Sequence, residues 1–286
     1  MHVPCHATTF DHSVKQILKI MAFLRFIFLL VLLNTSITYC QENHTPHIWK
    51  GPLVITYKEN NEHQCFDEDL QLHCTSWRFA VEANNLGPWK TIPKECHHHV
   101  KDYILGKGYK FDIERVSKEA GAFAASHELS ADGRDIWVFD VDETLLSNLP
   151  LYYEHSFGLE HLDSRDFYKW VEKGTAPAIQ ASLELYQEVF KLGYRIFLLT
   201  GRNNKHRDIT IENLVCAGFH HWEKLIMRNP EDRAKLATIF KSEKRNEMVE
   251  EGYRIVGNSG DQWSDLFGSS MSIRSFKLPN PIYYIP

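Results

Sequence analysis

The stretch Ile136-Trp137-Val138-Phe139-Asp140-Val141-Asp142-Glu143-Thr144 decides how this chain is read. Residues 136–142 form a β-rich apolar run that meets acidic residues at its end, so Asp140 and Asp142 straddle the terminus of a buried strand. Outward from it, strands and helices alternate. SLELYQEVFKLG (182–193) predicts an amphipathic helix stopped by Gly193. YRIFLLTGR (194–202) reads as a second buried strand. ITIENLVCAG (209–218) reads as a helix with Ile211, Leu214 and Val215 on one face. KLIMR (224–228) is a third strand, about 231–251 a long helical stretch, and YRIVGNSGDQ (253–262) a fourth strand. Repeated strand–helix units predict an α/β fold, a parallel sheet with helices on both faces. Ligands of such sheets bind beyond the carboxyl ends of the strands.

Residues 41–134 read differently, as a mainly helical N-terminal region. SWRFAVEANN predicts a helix that begins with a Ser cap, and ECHHHVKDYIL places Val100, Tyr103 and Ile104 on one side. In DIERVSKEAGAFAASHEL, Ile113, Val116, Ala120, Phe123 and Ala124 recur at helical spacing. Gly87-Pro88 and Pro93 punctuate the pieces. These stripes predict a helical layer packed on the sheet that follows.

Residues 1–40 read as a signal peptide. FIFLLVLL (26–33) follows Arg25 and gives way to polar residues. That run suits a signal h-region of roughly 7–15 residues and falls short of the roughly 20 a membrane span needs, so cleavage is favoured over an uncleaved anchor. Thr38 and Cys40 suit cleavage before Gln41, and Met21 offers a start that leaves 1–20 as an upstream extension. Cleavage leaves Cys65, Cys74, Cys96 and Cys216 in an oxidising compartment, where four cysteines allow three pairings. Cys74 and Cys96 bracket a loop of about 20 residues whose closure contributes about 3 kcal/mol, which makes them the expected disulfide. Cys65 and Cys216 remain as a second pair. No cysteine or histidine set has zinc spacing. Asn43-His44-Thr45 is a sequon in the exported chain, with Pro46 behind it limiting its use.

Composition narrows the partner. Hydrophobic residues make up 43% and aromatics 13%, enough for a sizeable core, and the net charge of -5 comes without any basic stripe. Nucleic acid is therefore excluded as the main partner and a small molecule favoured.

Four polar landmarks follow in order: Asp140-Val141-Asp142-Glu143-Thr144, Thr200 in LLTGR, a lysine in KSEKR, and Gly260-Asp261 with Asp265. This set resembles the haloacid dehalogenase superfamily, whose motifs are D-x-D-x-T, Ser/Thr, Lys and GDxxxD. FDVDETLLSN, KLGYRIFLLTGR, GFHHWEKLIMR, GYRIVGNSGDQWSDL, SFKLPNPIYY and CTSWRFAVEANNLGPWKTIPKEC are similar to the plant acid phosphatase and vegetative storage protein family (class B-like), from about Cys74 to Pro286. The resemblance implies a Rossmannoid core over 135–286 with a small cap insert at about 149–177. It implies a Mg²⁺-dependent acid phosphatase acting on small phosphomonoesters. Asp140 would be nucleophile and metal ligand. Asp142 would be general acid/base with its carbonyl on the metal, Thr200 and Lys241 would hold phosphoryl oxygens, and Asp261 would be a further metal ligand supported by Asp265. Lys244, near the same helix face, is the alternative lysine. A carboxylate attacking phosphorus forms an acyl phosphate and needs Mg²⁺ and Lys to offset repulsion. The family also implies export to vacuole or cell wall and a homodimer. Some storage relatives lack the nucleophile; here Asp140 is present, so the enzyme reading leads and a storage role with weak activity is the alternative.

The cap stretch carries Tyr152, Tyr153, Phe157, Tyr168 and Trp170. They read first as packing residues, and second as aromatics that stack on a leaving group.

Overall fold

The computed structural model describes residues 66–286; the signal peptide, Asn43 and Cys65 lie outside this range. Three helices come first: α1 (Phe66–Glu82), α2 (His97–Leu105) and α3 (Lys107–Ser126). Then follow β1 (Asp135–Phe139), α4 (Leu149–Glu154), α5 (Ser164–Val171), α6 (Gln180–Leu192) and β2 (Arg195–Asn203). The chain continues through α7 (Arg207–Cys216), β3 (Lys224–Arg228), α8 (Ala237–Glu250), β4 (Arg254–Gly260), α9 (Trp263–Leu266) and β5 (Arg274–Lys277). The strands form one parallel sheet in the order β3-β2-β1-β4-β5. The chain therefore reverses its direction of travel on either side of β1, and β1 and β4 are neighbours.

Both faces of the sheet are covered, as a parallel sheet requires. The period-two alternation of a strand divides its side chains between them. Trp137 and Phe139 of β1, Ile196 and Leu198 of β2 and Val256 of β4 join one core with Ala120 and Ala124 of α3 and Leu185, Tyr186 and Val189 of α6. Ile136, Val138, Phe197, Leu199 and Ile255 point the other way, onto Phe240 and Met248 of α8. Gly257 is required by this packing, because a Cβ there would lie 2.4 Å from the Trp137 ring. Below the strands, Arg254 reaches Asp135 at 2.6 Å and Asp132 beside it, tying the entries of β1 and β4 together.

Four local readings are corrected. Ser76 is not a cap: α1 runs through it from Phe66, because the acidic turn Asp67-Glu68-Asp69 ahead of it also favours a helix start. The long helix is broken. A 3₁₀ turn at Pro230–Asp232 precedes α8, and the Arg228 guanidinium binds the carbonyls of Asp232 (2.7 Å) and Lys235 (2.9 Å) that a continuous helix would use itself. Val215 does not share the buried face of Leu214; it is exposed on α7. The fifth strand, β5, is a four-residue edge strand that alternation over so short a span does not announce. Gly193 does end α6 in the left-handed conformation, at a φ of 102°.

Cys74 and Cys96 form a disulfide that pins α1 to the start of α2, and Cys216 is exposed and unpaired among the described residues. α1 is further held by Trp263, whose indole donates to the Glu82 carbonyl at 3.0 Å, and by Lys277, which pairs with the Glu82 carboxylate at 2.8 Å. No described helix is long and apolar enough to cross a membrane. Replacing both Cys74 and Cys96 by Ala is expected to lower the unfolding free energy by about 2–4 kcal/mol. Urea denaturation of oxidised, reduced and Cys74→Ala/Cys96→Ala protein measures it, and three coincident curves would contradict a stabilising link.

Candidate active site

The carboxyl ends of β1, β2 and β4 open into a cleft of about 750 Å³. Asp140 follows the last residue of β1, and its backbone N–H donates to the Ser259 carbonyl of β4 at 3.0 Å. That bond carries the ladder one residue past the strand and fixes where the carboxylate emerges. Asp261 follows β4 in the same way, and Asp265 lies one short turn further on, in α9. Ligand oxygens of Asp140, Asp261 and Asp265 all lie within 4.8 Å of one another, and all three residues are buried.

One cation stands among them. Lys241 extends from α8 and donates to Asp140 Oδ1 at 2.5 Å and also to Asp265 Oδ1. Burial works against its charge, but the two carboxylates outweigh it and raise the Lys241 pKa. Lys244 is not in the cleft; it pairs with Glu247 on the outside of α8 at 2.7 Å. Three residues along a helix leave a net offset of only about 60°, so the two lysines are neighbours on α8, with Lys241 fully turned into the cleft and Lys244 partly buried outside it.

The remaining carboxylates are held in place from several directions. Asp142 accepts from Arg202 Nη2 at 2.8 Å, from Arg202 Nε at 3.1 Å and from Asn148 Nδ2 at 2.9 Å. Burial opposes its charge, yet Arg202 prevails and keeps the carboxyl below its ordinary range. Thr200 is fully buried at the end of β2; its hydroxyl oxygen accepts from the Arg202 N–H at 3.1 Å and lies 3.5 Å from Asp142 Oδ2. Thr144 donates to Asp261 Oδ1 at 3.2 Å. Asp261 Oδ2 also accepts from Gln262 Nε2 at 2.8 Å and Asn280 Nδ2 at 2.7 Å. Glu143 sits at a φ of 50°, a conformation rare for a residue with a side chain. Bonds from the Asn148 N–H at 2.6 Å and the Tyr283 hydroxyl at 2.6 Å hold it there.

The arrangement is electrostatically incomplete. Burial pushes Asp140 well up, aided by Asp265 and Asp261, although Lys241 pulls the other way. Burial and the neighbouring Asp265 push Asp261 up to about 6, and burial with Asp261 and Asp142 pushes Glu143 up to about 8. Ser264 Oγ, buried on the cleft wall, has no hydrogen-bond partner. Converging hard oxygen donors with surplus negative charge fit a hard divalent cation such as Mg²⁺.

The cap insert closes one side. Tyr152 and Phe157 are core residues, packed with Ile92, Val100, Ile104 and Ile282. Trp170 donates to Asn148 Oδ1 at 2.7 Å and so orients the amide that holds Asp142. Tyr153 is exposed. Of the cap aromatics named above, Tyr152 and Tyr168 line the cleft; Tyr168 is half-buried, its ring stacked on His206 at 4.7 Å with the Lys205 ammonium 5.5 Å from its centre. Gly158 lets the cap meet the C-terminal tail, since a Cβ there would lie 2.1 Å from the Ile282 carbonyl oxygen.

Residues 61–286 match the family described as the HAD superfamily, subfamily IIIB (acid phosphatase). The chain belongs to that family. It is 61% identical to acid phosphatase 1 of Solanum lycopersicum over 92% of this chain and all of the relative. It is 43% identical to the stem 31 kDa glycoprotein of Glycine max over 77% of this chain and 86% of that one. It is 38% identical to vegetative storage protein 1 of Arabidopsis thaliana over 75% of this chain and 79% of that one. In structure it is similar to the class C acid phosphatase of Bacillus anthracis, with a TM-score of 0.50 over 66% of this chain and 85% of that one; at 20% identity this concerns the fold alone.

Asp140, Asp142, Lys241, Asp261 and Asp265 thus line one cleft of this family member, and Thr200, fully buried, stands behind Asp142. Reading the landmarks alone misses Arg202, Asn148, Gln262, Asn280 and Tyr283. Arg202 carried a usable signal, because a residue two after Thr200 on a strand shares its face. Asn280 and Tyr283 lie in the family-like segment SFKLPNPIYY, beyond the last strand, with nothing there to mark them as site residues; they arrive through the path of the tail. Arg202→Leu is expected to destabilise the fold by about 3–5 kcal/mol, because it strands the buried Asp142 charge. Arg202→Lys should recover only part, since an ammonium cannot bind two carboxylate oxygens as a guanidinium does. Denaturant unfolding of both variants measures this, and a wild-type midpoint for Arg202→Leu would contradict it.

Proposed function

We propose that the chain hydrolyses phosphomonoesters with Mg²⁺, through a phosphoryl group carried on Asp140. The observation that carries this reading is Lys241 seated between Asp140 and Asp265 at the floor of the cleft, with Asp261 converging on the same point. In this reading Asp140 Oδ attacks phosphorus while the ester oxygen leaves toward Asp142. Asp142 is ionised in the resting site, and an arriving phosphoryl dianion supplies the negative field that raises its proton affinity, so that it takes up a proton from solvent as the substrate binds. It then protonates the leaving alcohol, and afterwards takes the proton of the water that cleaves the acyl phosphate. Thr200 and Lys241 donate to the phosphoryl oxygens, and Arg202 and Asn148 keep Asp142 aimed. Asp140, Asp261 and the Asp142 carbonyl would hold Mg²⁺, with Asp265 in support. When bound, the ion neutralises phosphoryl charge and orients the group for in-line attack.

Export through a cleaved signal, modification at Asn43, residence in vacuole or cell wall and a homodimer belong to the same proposal. Support for export and the modification is the short apolar run before Gln41, the sequon and the disulfide between Cys74 and Cys96, whereas vacuole or cell wall and the homodimer rest on the family resemblance. A reserve role with weak turnover is the second reading, favoured by the 38% identity to a vegetative storage protein.

Turnover of several phosphomonoesters at mildly acidic pH by purified protein tests the proposal. Asp140→Asn is expected to cut kcat by about a thousandfold or more with the melting temperature retained. Chelation is expected to bring the wild type to background, and added Mg²⁺ to restore it. Turnover that survives either treatment counts against the mechanism. Asp140→Ser separates the two readings: a clear loss supports the enzyme, whereas equal near-background rates in both proteins support the reserve.

A further inference from the structure

The cleft continues past β2 into a smaller recess of about 340 Å³ at the carboxyl end of β3, and the two share Tyr168, Gly201 and Arg228. Arg228, Arg233 and Lys235 line this recess with no acidic side chain among the described residues there, and the terminal carboxylate of Pro286, which accepts from the Ala237 N–H at 2.9 Å, is the one anionic group on its lining. Lys235 is spent on Asp232 at 3.0 Å and Glu243 at 2.6 Å. Arg228 and Arg233 have no carboxylate within 4.0 Å among the described residues. Arg228 is nevertheless held firmly. Its Nη1 donates to two carbonyls, Asp232 and Lys235, and its guanidinium lies 4.6 Å from the centre of the Phe240 ring. Those contacts fix the group without neutralising it, and its Nε and Nη2 have no hydrogen-bond partner among the described residues. A guanidinium so placed is built for an anion, which it binds with charge-assisted and often paired hydrogen bonds. Its partial burial lowers its pKa, although the Asp232 charge nearby works the other way.

We infer that this recess is a second anion subsite, so that the favoured substrates are phosphomonoesters whose leaving group carries a second oxyanion. The inference rests on the hydrolytic reading above for which phosphate is cleaved. Strands in a sheet lie about 4.8 Å apart, so the backbones of β1 and β3, with β2 between them, are separated by about 10 Å. A sugar skeleton phosphorylated at both ends bridges such a span, with one phosphate at Asp140 and the other at Arg228. Tyr168, common to both cavities, lies alongside the skeleton.

Binding to Asp140→Asn protein tests this without turnover. Titration calorimetry with Mg²⁺ compares a hexose 1,6-bisphosphate with the matching hexose 6-phosphate. The bisphosphate is expected to bind at least about tenfold more tightly, with the advantage shrinking as NaCl is raised. Arg228→Gln should bring the ratio of the two affinities toward one, and Arg228→Lys should restore part of it. Because Arg228 also pins the turn before α8, Arg233→Gln, on an exposed side chain, serves as a second variant and should reduce the ratio about threefold. Equal affinities for the two ligands, no bisphosphate binding, or an unchanged ratio in Arg233→Gln together with a folded Arg228→Gln would overturn the subsite. A preference that survives while the wild type releases no phosphate would instead count against the hydrolytic reading alone.

Discussion

Carboxylates gathered in a buried cleft repel one another, and every other feature of the site is arranged around that cost. Asp140, Asp261 and Asp265 converge on one point with a single ammonium, Lys241, between two of them. The parallel sheet is what brings them there. β1 and β4 are neighbours although more than a hundred residues separate them in the chain, so the acidic residue after each strand emerges at the same edge. α8 lies across the other face and delivers Lys241 from a third direction.

Around this centre, positions are fixed by hydrogen bonds to carboxylate oxygens. Arg202 and Asn148 take Asp142, Gln262 and Asn280 take Asp261, and Tyr283 with Asn148 takes Glu143. These donors come from β2, from the loop before the cap, from the turn after β4 and from the C-terminal tail. Each is itself anchored: Trp170 orients Asn148, and the Ile282 N–H donates to Asn280 Oδ1. The tail returns to α8 as well, where the Pro286 carbonyl accepts from the Ala237 N–H at 2.9 Å. The helix that carries Lys241 and the loop that carries Asp261 are therefore linked through the last residues of the chain.

The cap and the N-terminal helices contribute a second small core. Ile92, Val100 and Ile104 pack with Tyr152 and Phe157 of the cap and Ile282 of the tail. The disulfide between Cys74 and Cys96 braces the helices that supply half of it. Tyr152 and Ile282 of this cluster line the cleft, and Tyr283, packed against it, carries the hydroxyl that holds Glu143. The consequence is that cap aromatics are divided by burial: Phe157 is committed to packing, whereas Tyr168 keeps access to the cavity.

Local sequence determined what local physics controls. Apolar runs of strand length alternating with amphipathic segments specified a parallel α/β sheet, and acidic residues just past IWVF and IVGNSG marked its ligand-binding edge. Gly193 announced its own helix end, because only a residue free of a Cβ adopts that φ at no cost. Tertiary structure decided the rest. The family resemblance favoured Lys241 in KSEKR with Lys244 as the alternative, and only the packing of α8 against the sheet put the first in the cleft and left the second, partly buried, on Glu247. The break before α8 depended on Arg228, a residue of the preceding strand, which no helix pattern within 231–251 contains. Asn280 and Tyr283 reached the site through a tail whose course is set by packing on the cap. Short-range periodicity carries information about neighbours three or four residues away, whereas these placements depend on which distant surfaces bury each other.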